Sequence, residues 1–390
     1  MQFSEFGVSD DQKALCQSVR DLCARFPETY WRGLEKTSAY PTEFIKALTE
    51  GGFLAAMIPE EYGGLGMGVV EGGLILEEIN RSGGNSAPGH AQMYIMGTLL
   101  RHGSQEQKDA YLPEIAAGKL RLQAFGVTEP DAGSDTLSIT TRAERKGAKY
   151  IVNGRKVFIS RVEYSDLMLL LARTTPKEQV AKRTEGLSVM LVDLRQAVGN
   201  GLEVNPIDTM VNHHACELVF DNLEVPCENL IGEEGQGFRY ILSSMNAERI
   251  LVASESIGDG RYFVEKAIQY ANQRKVFGKP IGQNQGIQYP IARAYAAVES
   301  ARLMRDKAAL MFDAGENPGE QANLSKLLGA EAAWQAANMC MDTHGGYGMA
   351  VEYNIERKFR EARLFMIAPV TNNMVLNYLS QNVLGLPRSL

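Results

Sequence analysis

Glu248 sits in the run Met245-Asn246-Ala247-Glu248-Arg249-Ile250-Leu251-Val252, with Ser244, Met245, Leu251 and Val252 three or four residues away. Helical spacing gathers these residues on one mainly apolar face. Burial there raises a carboxyl pKa toward the working pH, as a general base requires. Arg249 follows directly, and on a helix it points about 100° away, so the two need not neutralise each other. A solvated Glu–Arg pair is the plainer reading of the same residues. A second set lies between positions 127 and 160. Thr128 and Ser160 offer hydroxyls, and Phe158 an aromatic wall or ordinary strand packing. The turn Ala132-Gly133-Ser134 offers backbone amides that an anion can approach without side-chain obstruction.

The elements that must hold these residues change character twice along the 390 positions. Up to about residue 119 the apolar residues recur at three and four, as in Leu15, Val19, Leu22 and Phe26, which predicts helices. The stretch 58–66, with Pro59, Gly63, Gly64 and Gly66, reads as a loop. From about 122 to 231, β-branched and alternating runs separated by Gly, Asn, Asp and Pro predict strands, with Asn153-Gly154 as a hairpin signal. Helical patterning returns from Gly237 to about Leu384. The expected fold is α+β: an N-terminal helical domain over 1–121, a middle β-domain over 122–231 and a C-terminal helical bundle over 232–390.

Composition excludes several roles. A net charge of -7 argues against broad phosphate-backbone binding, so no nucleic-acid partner is expected. The densest apolar run, Leu167-Met168-Leu169-Leu170-Leu171-Ala172, is strand-sized and far short of the roughly 18 residues of a membrane span. The start, Met1-Gln2-Phe3-Ser4-Glu5-Phe6, shows no basic or apolar targeting pattern, so a cytoplasmic location is the expectation. Five cysteines without CxxC spacing suit reduced thiols. His213-His214 would diverge to opposite faces of a strand, so no metal site is expected.

The segment Val127-Thr128-Glu129-Pro130-Asp131-Ala132-Gly133-Ser134-Asp135 and the segment Arg360-Glu361-Ala362-Arg363 with its continuation to Thr371 resemble the two signature motifs of the acyl-CoA dehydrogenase family. The likeness covers almost the whole chain. It implies FAD as cofactor, an acyl-CoA substrate and α,β-dehydrogenation of its thioester. A carboxylate takes the α-proton, the flavin takes the β-hydride, and hydrogen-bond donors hold the thioester oxygen. Val127, Thr128, Gly133, Phe158 and Ser160 match flavin positions, as does Thr371. Arg274, Phe277, Asn284, Gln285, Asp342, Gly345 and Gly346 match positions that reach the flavin from a neighbouring subunit, with Asp342 standing where relatives have Gln. Ser134, Asn246 and Arg249 match contacts to CoA. A homotetramer and an acceptor such as electron-transfer flavoprotein are implied with them.

The resemblance has one departure. Where the family reads Glu-Gly-Thr, this chain reads Pro369-Val370-Thr371, so neither the usual carboxylate nor the usual backbone N–H is present. Glu248 matches the site from which isovaleryl-CoA and long-chain acyl-CoA dehydrogenases supply their base. Either Ala368 or Val370 provides the missing amide, or the substrate sits differently, or the reaction is altered. Ala368, in place of the usual Tyr, opens space for a branched or otherwise non-linear short-to-medium acyl group, in a cavity expected to be lined also by residues 85–96. The competing reading is a flavoenzyme of the same fold with desulfinase, oxidase or monooxygenase chemistry. A non-enzymatic helical interaction protein would leave the 128–135 turn without a purpose.

Overall fold

The computed structural model describes residues 7–388, so the Met1–Phe6 segment read for a targeting signal lies outside it. Among the described residues, helices α1 (Asp10–Ala24), α2 (Glu28–Thr37), α3 (Thr42–Glu50), α4 (Val69–Arg81), α5 (Ala87–His102) and α6 (Gln105–Ala116) come first. Strands β1 (Leu122–Gly126), β2 (Arg142–Lys146), β3 (Lys149–Ser160), β4 (Leu167–Arg173) and β5 (Leu187–Asp193) follow. A one-turn helix α7 (Leu194–Ala197) leads into β6 (Leu202–Ile207), β7 (Ala215–Pro226) and β8 (Leu230–Ile231). The chain ends in α8 (Gly237–Gln273), the hairpin β9 (Lys275–Val276) and β10 (Lys279–Pro280), α9 (Gln285–Asp313), α10 (Gly319–His344), α11 (Ile355–Leu364) and α12 (Asn372–Tyr378). No described helix is long and apolar enough to cross a membrane, and no described cluster of His, Cys, Asp and Glu could hold a metal ion.

Contacts divide the chain into two units. One comprises residues 45–66 and 87–245, the other residues 1–44, 67–86 and 246–390. The first is built on an eight-stranded sheet in the order β6-β7-β3-β2-β4-β5-β8, with β1 joined in parallel to β4. Strand β4 is buried on both faces and distributes its side chains by parity. Leu167, Leu169 and Leu171 enter a core with Ile95, Leu99 and Leu112 of the helices, while Met168, Leu170 and Ala172 enter a core with Val152, Leu218 and Phe220 of the sheet. Helix α6 begins with a reciprocal cap, Ser104 Oγ accepting from Gln107 N and Gln107 Oε1 from Ser104 N.

The second unit is helical. Residues 251–264 of α8 are all buried, and Tyr262, Phe263, Val264 and Ala267 pack with Ala336, Ala337 and Cys340 of α10. Charged groups inside it are paired. Glu77 of α4 meets Arg305 of α9 at 2.6 Å and Arg261 of α8 at 2.5 Å. Burial alone would raise the Glu77 pKa, but the two guanidinium groups outweigh it and hold the carboxyl below its ordinary range.

Two local expectations are corrected. Asn153-Gly154 is not a hairpin: β3 continues through it with a shift of register against β7, and the β2–β3 turn falls at Gly147. Asn153 Oδ1 instead accepts from Asn222 N at 2.9 Å, and Gly154, at φ 149°, is placed where a Cβ would lie 2.6 Å from Thr141 Cα. The residue pair marks a close approach of backbones within the sheet. His213-His214 lies in the β6–β7 connection rather than on a strand, with His214 at φ 51°. The Gly154→Ala variant is expected to lose about 2 kcal/mol or more of stability, read as a lower urea midpoint at unchanged m; an unshifted midpoint would show that the sheet absorbs the methyl group.

Candidate active site

The 127–134 segment and the end of β3 are brought side by side. Val157 N donates to Thr128 O at 2.9 Å, so Val127 and Thr128 run beside Phe158 and Ser160. The β3–β7 register shifts between Lys156 and Ile159, and within that bulge Phe158 adopts φ 58° and leaves 61% of its surface exposed. A positive φ at an aromatic residue is costly, and here it turns the ring out of the sheet instead of into the core. Gly133 is exposed, and a Cβ added to it would touch nothing within 4 Å. An open turn, two half-buried hydroxyl residues and an outward aromatic face form a surface on which a planar ring with an anionic tail fits.

A buried ion pair fixes this surface. Lys156 is fully buried, and its Nζ donates to Glu129 Oε1 at 2.9 Å and to Val127 O at 2.8 Å. Glu129 also accepts from Thr140 N at 2.7 Å, Thr140 Oγ1 at 2.8 Å and Thr141 N at 2.9 Å. Burial pushes the Glu129 pKa up, but Lys156 and the threonine donors prevail and hold it well below the carboxylate range. Glu129 stands in the sequence only as one residue of the 127–135 motif, and Lys156 does not stand out there. The only available signal was a lysine inside a β run.

In the helical unit, α8 presents Asn246, Glu248 and Arg249. Glu248 is 6% exposed and lies on a face with fully buried Leu251 and nearly buried Val252. Arg249 Nη1 donates to Asn246 Oδ1 at 3.1 Å. Burial lowers the Arg249 pKa, with the Glu248 charge opposing. Val252 packs with Phe365 and Met366, which brings this face to the start of the 366–371 loop. In that loop Ala368 N donates to Leu364 O at 2.9 Å, the Ala368–Pro369 peptide is cis, and Val370 takes φ 52°. Thr371 caps α12 by accepting from Met374 N at 3.3 Å. Asn372 Oδ1 accepts from Lys326 Nζ at 2.7 Å. Lys326 is fully buried, and burial, reinforced by Arg249, pulls its pKa down to about 8.

A separate, exposed patch of the same unit gathers Arg274, Phe277, Asn284, Gln285, Asp342, Gly345 and Gly346. Ile281 N donates to Arg274 O, and the Arg274 guanidinium lies 5.7 Å from the Tyr347 ring centre, which ties the β9–β10 hairpin to the turn after α10. Phe277, at φ 50°, is fully exposed at the hairpin tip. Glu248 and the end of α8 are 25 residues apart, about 38 Å along the helix axis. The patch is therefore remote from the Glu248 face of its own chain.

Comparison with known proteins gives the relationship. The N-terminal, middle and C-terminal domain families of acyl-CoA dehydrogenases match residues 9–119, 124–223 and 235–384.
The chain belongs to the acyl-CoA dehydrogenase family.
It is 34% identical over 394 residues to acyl-CoA dehydrogenase FadE12 of Mycobacterium tuberculosis, covering all of both chains. It is 33% identical to cyclohex-1-ene-1-carbonyl-CoA dehydrogenase of Syntrophus aciditrophicus, covering 94% of this chain and 88% of that one. Among solved structures it resembles butyryl-CoA dehydrogenase from Megasphaera elsdenii at a TM-score of 0.90 and 27% identity, over 98% and 100% of the two chains. The enzyme is an FAD-dependent oxidoreductase that dehydrogenates acyl-CoA. The outward Phe158 face and the open Gly133 turn fit that cofactor, which when bound supplies the hydride acceptor.

Replacing Lys156 by Met leaves Glu129 buried without its cation, which is expected to cost about 3–5 kcal/mol, with the Lys156→Met/Glu129→Met double variant recovering part of it. Because the folded pKa of Glu129 lies below its unfolded value, its contribution is present above about pH 4.3 and is lost as pH falls toward the folded value. Urea denaturation across that range checks both. Equal stability of the two variants would show that the ion pair does not anchor the turn.

Proposed function

We propose that this dehydrogenase acts on a branched or otherwise non-linear short-to-medium acyl-CoA, with Glu248 as the base that removes the α-proton. The observation that carries the reading is a carboxyl group buried on an apolar face of α8, beside a loop whose corresponding position is Pro369. A rigid helix fixes the carboxyl's position, and its apolar surroundings favour proton transfer over solvation. Ala368 presents only a methyl group, which leaves room for a bulky acyl chain.

The thioester oxygen needs a donor, and the loop narrows the choice. Pro369 has no N–H, and the Ala368 N–H is committed to Leu364 O. Among the described residues the Val370 N–H has no acceptor, and Val370 is held in a left-handed conformation unusual for a β-branched residue. We assign Val370 N–H as the donor to that oxygen. Asn246 and Arg249, joined by a hydrogen bond, would bind the CoA chain on the N-terminal side of Glu248. The absent amide at position 369 also favours a second reading, desulfinase, monooxygenase or oxidase chemistry on this fold; in the first two a thioester would not reduce the flavin anaerobically, and an oxidase would pass the electrons of its reduced flavin directly to oxygen.

The exposed Arg274 patch would complete the flavin site of a neighbouring subunit in a homotetramer. Its distance from Glu248 supports this. So do Tyr289, Leu303 and Leu310, exposed along α9, and an apolar groove formed by Ile268, Ala271, Ile287, Ile291 and Tyr295. Electron-transfer flavoprotein is the proposed acceptor.

Anaerobic titration with a panel of acyl-CoA thioesters, watching the flavin bleach, tests the reaction and narrows the substrate. In the Glu248→Gln variant, thioester binding is expected to persist while flavin reduction slows by at least about 10²-fold; reduction at the parent rate would remove Glu248 as the base. Arg274→Ala is expected to lower flavin retention most at dilute protein, where subunits separate. Flavin content independent of both the substitution and dilution would argue against the shared site.

A further inference from the structure

The α8 face that carries Glu248 continues toward the helix C-terminus. Positions 248, 252 and 255 stand at i, i+4 and i+7, within about 60° of one another around the axis and about 10 Å apart from first to last. All three are buried, with Glu255 at 3% exposure, and Leu251 and Val252 form an apolar wall between the two carboxyl groups. Glu255 has no role in the chemistry above. Its Oε1 accepts from Ser86 Oγ at 2.7 Å. Ser86 is held in turn, since its N–H donates to Asn80 Oδ1 at 3.0 Å and Asn80 Nδ2 donates to Glu255 O at 3.1 Å. Asn80 and Ser86 are themselves buried. The apolar wall thus ends in an ordered acidic and hydroxyl pair.

That pair has a direction relative to the reaction. With CoA at Asn246 on the N-terminal side of Glu248, an acyl chain whose α-carbon faces Glu248 extends along α8 toward Glu255. A hydrocarbon end would place methyl groups against polar groups that prefer hydrogen-bonding neighbours. A hydroxyl is complementary, because its proton can be donated to the Glu255 carboxyl or to the Ser86 hydroxyl oxygen, whose own proton is held by Glu255. A carboxylate end would set two acidic groups together.

We propose that Glu255 and Ser86 form a recognition site for a hydroxyl group on the acyl chain at its end remote from the thioester, so that the enzyme's substrate class is hydroxylated acyl-CoA. This rests on the placement of the acyl group beside Glu248. The site makes Glu255 a specificity determinant, and the wall at Leu251 and Val252 sets the span between the reacting carbons and the hydroxyl.

The test uses the FAD-loaded enzyme and 2-enoyl-CoA thioesters, which are already desaturated, so that binding is read without turnover. The thioesters end in hydroxyl, methyl or carboxylate at matched chain lengths, and dissociation constants come from the change in flavin absorbance. At the best length the hydroxyl compound is expected to bind about tenfold or more tightly than its methyl counterpart, with the carboxylate weakest. In Glu255→Met the preference for hydroxyl should vanish or reverse while the methyl compound binds as before. Ser86→Ala should reduce the preference, and it decides the matter alone if the Met variant does not fold. No hydroxyl preference in the parent enzyme, or an equal loss of affinity for all three ends in the variants, would overturn the proposal and leave Glu255 a structural residue. Flavin reduction of Glu248→Gln by saturated thioesters reports separately on the base, so a wrong base leaves the binding preference intact and a wrong recognition site leaves the Glu248 dependence intact.

Discussion

A helix buried on all sides keeps a charged residue only where a partner meets it, and this constraint organises the helical unit. The Asp259 carboxyl of α8 meets Lys358 Nζ of α11 at 2.6 Å, although burial still pushes its pKa upward. Arg261, half a turn on, meets Glu77 of α4 and Glu299 of α9. Three neighbouring helices are thereby fixed to α8 at defined positions along it. Such pairs add little net stability, but breaking one strands a charge in the interior, so they penalise any slippage of one helix past another. The face that presents Glu248 depends on that alignment.

Under the proposed function, the same constraint accounts for how a signature position could lose its carboxylate without dissolving the site. A base on the 366–371 loop depends on the loop's conformation. A base on α8 inherits the rigidity of a packed helix. The loop is then free to take residues with other uses. Pro369 and Val370 alter the pattern of available amides, and in the proposed function Ala368 would widen the room above the substrate. Lys326 still reaches Asn372 from the buried side of α10, so the loop remains tethered where it enters α12.

Much of this was readable in the sequence, because helical periodicity and strand runs are local signals. The helix, sheet, helix order follows from them, as does the apolar face around Glu248. The Thr128 turn and Phe158 were also visible as motif positions, and the structure lays them side by side. The misses are long-range. Asn153-Gly154 has the composition of a tight turn, yet its neighbours are Asn222 in β7 and Thr141 just before β2, and their proximity overrides local turn preference. The Glu129–Lys156 pair joins a residue of the turn after β1 to one within β3, and no spacing rule connects them. The Ser86–Glu255 contact spans 169 positions and is equally invisible to periodicity.

Helix α8 is unbroken for 37 residues, about 55 Å, and everything arranged along it is set by angular phase. Deleting or inserting one residue between Glu248 and Arg261 would turn all that follows by about 100° and shift it by about 1.5 Å. The carboxyl groups and the ion pairs would then face different neighbours at once. Substitutions along this rod can change which groups it presents, whereas changes of length would dismantle its alignment, so drift in specificity within this architecture must proceed by exchange of side chains and not by insertion or deletion.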